Sequence, residues 1–194
     1  MTCDWNGDGI DTPGLYRRTD GFLYLRNSNT QGVADISIFY GIPEDRPVCG
    51  DWDGDGVQTI GIYRPSEARF YLRNSNTQGV ADFSFFFGDP GDLPFAGDWD
   101  GDGIDTVSLW RPTTGRVYIT NTNATKAADF DAFYGNPGDR FVVGDWDGDE
   151  RDSFGIFRPS EQTFYLSSRV GQAVADQTVL FGPVSSNPVA GVWR

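Results

Sequence analysis

Apolar positions along this chain come in short runs bounded by glycine, proline, asparagine or aspartate, and the runs recur in groups of four. In one group they cover residues 47–52, 60–64, 69–74 and 81–88. Between them lie an acidic loop, a Pro65-Ser-Glu turn and the polar stretch Asn74-Ser-Asn-Thr-Gln-Gly79. Runs this short and this closely spaced predict β-strands joined by turns, with little room for helix. The last run carries Phe83, Phe85, Phe86 and Phe87, so rings lie on both faces and both faces need cover.

The grouping is a repeat. Trp5, Trp52, Trp99, Trp146 and Trp193 stand 47 residues apart. In a repeat protein the covering layers are the neighbouring units, and a four-stranded blade of about 40–50 residues is a usual propeller unit. The chain is therefore read as all-β, a four-bladed β-propeller of 47-residue repeats at about 4–50, 51–97, 98–144 and 145–191, in one domain spanning 1–194. The alternative is an open β-repeat stack with a terminal cap strand. Residues 188–193 repeat the pattern Pro47-Val-Cys-Gly-Asp-Trp52, and a closing strand is expected there. Five tryptophans then compete for four equivalent places, so either the segment 1–5 is displaced or the stack stays open.

Composition adjusts this picture in two ways. Aromatics make up 15% of residues, so large rings carry the core, which suits packed sheets. The net charge of −13 repels nucleic acid and anionic membranes, and neither is expected as a partner. No apolar run approaches the roughly 18 residues of a membrane span. No signal peptide opens the chain, so it is read either as a mature or truncated fragment, which calcium sites of modest affinity favour, or as a protein not exported by a cleaved signal. Cys3 and Cys49 fall at nearly the same place in successive units, where they form either a disulfide or two independent thiols.

The acids are local. The four tryptophan loops, Asp4-Trp-Asn-Gly-Asp-Gly, Asp51-Trp-Asp-Gly-Asp-Gly, Asp98-Trp-Asp-Gly-Asp-Gly and Asp145-Trp-Asp-Gly-Asp-Glu, hold most of them with their following residues. Calcium takes six to eight oxygen ligands, and carboxylates at loop positions 1, 3 and 5 supply several from one segment. Those positions are Asp4, Asn6 and Asp8; Asp51, Asp53 and Asp55; Asp98, Asp100 and Asp102; and Asp145, Asp147 and Asp149. Glycine at position 6 permits the turn, and position 7 offers a carbonyl from Ile10, Val57, Ile104 or Arg151. Position 12 is Leu15, Ile62, Leu109 or Ile156, so these are not EF-hands. The last ligand is sought at position 8 (Asp11, Asp105, Asp152, with Gln58 neutral) or at position 9 (Thr12, Thr59, Thr106, Ser153). Glu150 takes the place of the position-6 glycine, so three or four calcium ions are expected.

Gly50-Asp-Trp-Asp-Gly-Asp-Gly56, followed by Tyr63-Arg64-Pro65 and Phe86-Phe87-Gly88, resembles bacterial FG-GAP or VCBS-type repeats, which are similar to the calcium-binding blades of integrin α-subunit propellers. The resemblance covers all four units. It implies a secreted or surface-attached, calcium-stabilised propeller for cell adhesion or ligand binding, with an unknown protein or glycan ligand. The chain departs from that family at position 9, where its usual Asp is Thr or Ser.

Residues identical in every unit, such as Arg17, Arg64, Arg111 and Arg158 or Asp35, Asp82, Asp129 and Asp176, are read as bridges and turn anchors. Trp110, standing where other units have Tyr16, Tyr63 and Phe157, is either a larger packed ring or a sugar-stacking surface for a lectin. A carboxylate-based glycoside hydrolase is the weaker alternative. No histidine is present, and Glu44, Glu67 and Glu161 fall in predicted surface turns, so the chain is read as not an enzyme.

Overall fold

A computed structural model describes residues 1–171 and 174–192. Each repeat folds into a four-stranded antiparallel meander whose strands pair in chain order. Blade one comprises β1 (Thr2–Cys3), β2 (Thr12–Arg17), β3 (Phe22–Leu25) and β4 (Ile36–Phe39). Blade two comprises β5 (Arg46–Gly50), β6 (Thr59–Arg64), β7 (Arg69–Leu72) and β8 (Phe83–Phe86). Blade three follows with β9 (Leu93–Gly97), β10 (Thr106–Arg111), β11 (Arg116–Ile119) and β12 (Phe130–Phe133). Blade four has β13 (Arg140–Gly144), β14 (Ser153–Arg158), β15 (Thr163–Leu166) and β16 (Gln177–Leu180). The molecule is a four-bladed β-propeller, and no helix long and apolar enough to cross a membrane occurs among the described residues.

Alternation along the strands builds the core between blades. Blade one offers Leu23, Leu25, Ile38 and Tyr40 to Ile60 and Ile62 of blade two. Blade two offers Phe70, Leu72, Phe85 and Phe87 to Val107 and Leu109 of blade three, and Val117, Ile119 and Tyr134 of blade three meet Phe154 and Ile156 of blade four. The second strand of blades two to four is buried on both sides: Ile60 and Ile62, Val107 and Leu109, and Phe154 and Ile156 face the preceding blade, while Tyr63, Trp110 and Phe157 fill the other side. The first strands surround a central space of about 710 Å³. Cys3 and Cys49 form a disulfide that joins β1 to β5 across the first interface.

The recurring charged residues are structural. Asp45, Asp92 and Asp139 are buried in the turns before β5, β9 and β13, where they receive Arg64, Arg111 and Arg158. Arg17 of blade one pairs with Asp20. Asp35, Asp82, Asp129 and Asp176 each accept the backbone N–H eight residues earlier, at 2.8–2.9 Å, and so pin the turn between the third and fourth strands. Trp110 is buried and donates toward the Tyr134 carbonyl, which makes it a packing ring and removes it as a sugar platform.

The N-terminal segment is not displaced: β1 pairs with β2, and Trp5 is buried with its indole N–H on the Thr12 carbonyl. Residues 188–192 carry no assigned strand and do not enter blade one's sheet. They stand beside it as a fifth inner segment, with the Asp11 N–H donating to the Val192 carbonyl (3.0 Å) and the Val192 N–H to Asp11 Oδ2 (2.6 Å). Trp193, the fifth of the spaced tryptophans, lies outside the described residues.

Candidate metal loops

The four acidic loops fold alike because the first carboxylate of each acts as a template for its backbone. Asp4 Oδ1 accepts the N–H groups of Asn6, Gly7 and Asp8, and Oδ2 accepts that of Gly9 at 2.7 Å. Asp51, Asp98 and Asp145 repeat the arrangement. At Asp145 burial pulls the carboxyl upward, but the N–H groups of Gly148, Glu150, Asp147 and Asp149 outweigh it and hold it below the ordinary range. The fifth-position carboxylates Asp8, Asp55, Asp102 and Asp149 each accept the N–H two residues on, at 2.9–3.1 Å, which closes the turn.

That closure needs left-handed backbone at position 6. Gly9, Gly56 and Gly103 have φ of 80–86°, and Glu150 is drawn into the same conformation at 66°. The fourth loop thus keeps the geometry of the others despite its side chain.

One oxygen from each of positions 1, 3 and 5 converges in three loops. For Asp51, Asp53 and Asp55, for Asp98, Asp100 and Asp102, and for Asp145, Asp147 and Asp149, these atoms lie within 4.8 Å of one another. Loop one has the same backbone, with Asn6 donating to Asp8 Oδ2 at 3.1 Å. The crowding registers at Asp53, whose carboxyl is raised by burial first and then by Asp55 and Asp51. The carbonyls of Ile10, Val57, Ile104 and Arg151 accept no hydrogen bond among the described residues, which leaves them available at the loop end.

The other candidate ligands go elsewhere. At position 9 the Thr12 and Thr106 hydroxyls donate to the Arg26 and Thr120 carbonyls at 2.6 Å, the Ser153 hydroxyl to that of Ser167, and Thr59 reaches Gly50. All four are buried at the start of the second strand. At position 8 the side chains turn to the preceding unit: Gln58 Oε1 accepts the Asp4 N–H (2.9 Å), Asp105 Oδ2 that of Asp51 (2.6 Å) and Asp152 Oδ2 that of Asp98 (3.0 Å). In return the N–H groups of Gln58, Asp105 and Asp152 donate to the carbonyls of Asp4, Asp51 and Asp98 at 2.7–2.9 Å. Burial pushes the Asp105 carboxyl up to about 7 and Asp152 to about 6, against the lowering effect of those same backbone donors. Position 8 is thus the joint between units, and Asp11 makes the same joint with Val192.

The bracing role of Asn29, Asn76 and Asn123 was not among the expectations from sequence, where Asn123 figured only as part of the sequon Asn123-Ala-Thr125. Their side-chain amides donate to the carbonyls of Asp11, Gln58 and Asp105 at 2.9–3.1 Å and brace the end of each loop. Their own 47-residue spacing, broken by Val170 in the fourth unit, was the available signal.

The chain matches no protein-family model and no curated protein. Among solved structures it is similar to BBS1N in its complex with ARL6DN. The mercury-soaked crystal form gives a TM-score of 0.53 at 12% identity, covering 94% of this chain and 56% of that one. The lead-soaked form gives 0.53 at 13%, covering 97% and 57%. The chain spans just over half the length of these structures, and the likeness is one of fold: what this chain shares with them is the β-propeller architecture.

Proposed function

We propose that this propeller is a non-enzymatic, calcium-binding scaffold of the FG-GAP or VCBS type, secreted or displayed at a cell surface, that presents a ligand-binding or adhesion surface. The convergence of three carboxylates within 4.8 Å in each of three loops carries the reading. Like charges this close repel by about 1 kcal/mol per pair in water and by several at lower effective dielectric, and a divalent cation reverses the sign. Calcium accepts irregular oxygen cages and water, so three side chains, one carbonyl and solvent make an adequate shell. Sites of this modest ligand count fill where calcium is plentiful, which favours an extracellular setting.

The glutamates weighed for a hydrolase have structural partners. Glu67 and Glu161 are exposed and bonded to Tyr71 and Tyr165, and Glu44 pairs with Arg18.

Titration calorimetry and thermal melting of the chelated protein test the proposal. Added calcium should release heat and raise the melting temperature with concentration, as binding to the native state alone requires. No heat together with an unchanged melting curve refutes it. Metal analysis of the loaded protein distinguishes three ions from four.

A further inference from the structure

The acidic loops of successive units touch. At each joint the position-8 residue holds the first loop residue of the preceding unit twice: its N–H donates to that residue's carbonyl, and its side chain accepts that residue's N–H. The held residue, Asp4, Asp51 or Asp98, is the one whose carboxylate templates its loop and offers the first candidate ligand. The holding residue, Gln58, Asp105 or Asp152, directly follows the position-7 carbonyl that its own loop offers. A second contact runs alongside. A Cβ added at Gly7 would stand 3.1 Å from the Val57 side chain and one at Gly54 would stand 3.3 Å from that of Ile104, so the position-4 backbone of one loop lies on the position-7 side chain of the next. Gly101 meets Arg151 in the same way. The joints also meet each other, since the Gln58 side-chain amide reaches Asp105 Oδ2 at 3.4 Å.

We propose that the position-8 side chains are positioning residues that couple neighbouring loops, so that filling one loop with calcium tightens binding in the next. The coupling rests on the calcium reading above. Once the Ile104 carbonyl is held in its own loop, Asp105 beside it is held too, and Asp105 fixes both backbone groups of Asp51. The loop of unit two then loses less freedom when it closes on its own ion. The same coupling free energy acts in reverse, from loop two on loop three. Charge acts the other way, because an ion in one loop cancels part of the negative field that draws an ion to its neighbour, and salt screens that field over about 8–10 Å. The two contributions therefore differ in sign. Ordering across the joint makes the second ion bind more tightly, and charge makes it bind more weakly.

Loops two and three make the cleanest pair to test, since both read Asp-Trp-Asp-Gly-Asp-Gly. Loops one and four are silenced by Asp8→Asn and by Asp147→Asn/Asp149→Asn, which keep a side-chain oxygen for each turn. Calorimetric addition of calcium to this chain, at about 0.15 M salt, should show two ions, the second bound about fivefold more tightly than the first after statistical correction. Asp105→Asn keeps an oxygen for the Asp51 N–H and should keep that ratio. Asp105→Leu should bring it to about one while two ions still bind. Ile104→Ala, which removes the side chain under Gly54 and leaves every loop carboxylate in place, should lower it in part. Two ions bound equally, or the second more weakly, overturn the coupling and leave the calcium reading standing. So does a ratio that Asp105→Leu and Ile104→Ala both leave unchanged, or one that Asp105→Asn loses as fully as Asp105→Leu, which marks the charge and not the hydrogen bond as its source. No calcium uptake by the parent chain overturns the calcium reading and the coupling with it.

Discussion

Glu150 is the residue at which local chemistry and loop geometry conflict most directly. Its N–H is held by Asp145 Oδ2 at 3.0 Å, and satisfying that bond forces a left-handed backbone that three sister loops reach with glycine. A non-glycine residue there costs about 1–2 kcal/mol. Glu150→Gly is therefore expected to stabilise the metal-free protein by about 1 kcal/mol, read as a higher denaturant midpoint with unchanged slope. The conflict was legible in sequence because position 6 of a tight acidic loop has one conformational requirement. What sequence did not show was how position 9 is used, since a threonine hydroxyl serves a metal or a neighbouring carbonyl equally well. Burial at the head of the second strand directs it to the carbonyl.

At the scale of the strand and its joint, the position-8 side chains decide how units meet. Asp105 is a buried carboxylate that accepts the Asp51 N–H at 2.6 Å and, more weakly, the Gln58 side-chain amide at 3.4 Å, and Gln58 takes the corresponding backbone N–H uncharged in the preceding joint. Asp105→Asn should keep the hydrogen bond and relieve the buried charge, leaving stability equal or higher at pH 8. Asp105→Leu strands the Asp51 N–H and should cost about 1–3 kcal/mol. The sign of the pH effect follows from the raised carboxyl. Its folded value of about 7 exceeds the ordinary 3.8, so the native state holds a proton that the unfolded chain has released. The contribution is complete below the ordinary value and is lost as pH rises through about 7. Denaturation of the chelated parent between pH 4 and 8 should show stability falling over that window, and the Asn variant should show less of it.

For the whole molecule, the disulfide secures one interface while the acidic loops recur in every unit. Cys3–Cys49 spans 46 residues and ties blade one to blade two. Closing a loop of that size restricts the unfolded chain, and its loss in a Cys3→Ser/Cys49→Ser variant should cost about 2–4 kcal/mol, measured by chemical denaturation with calcium present. If the acidic loops hold calcium as proposed, chelation should lower the melting temperature further in the same variant, because those loops recur in all four units while the disulfide secures one joint.

The repeat, the strand count, the blade and the convergence of loop carboxylates follow from the chain itself. Periods of hydrophobicity and glycine placement are local constraints, and local constraints are written in order along the sequence. The tertiary structure decided what depends on neighbours. It turned the position-8 carboxylates across the joint, spent the position-9 hydroxyls inside the blade, buried Trp110 and set residues 188–192 beside blade one as a fifth inner segment. A side chain's orientation between two acceptors, and the presence or absence of a covering blade, are set by which surfaces meet in space.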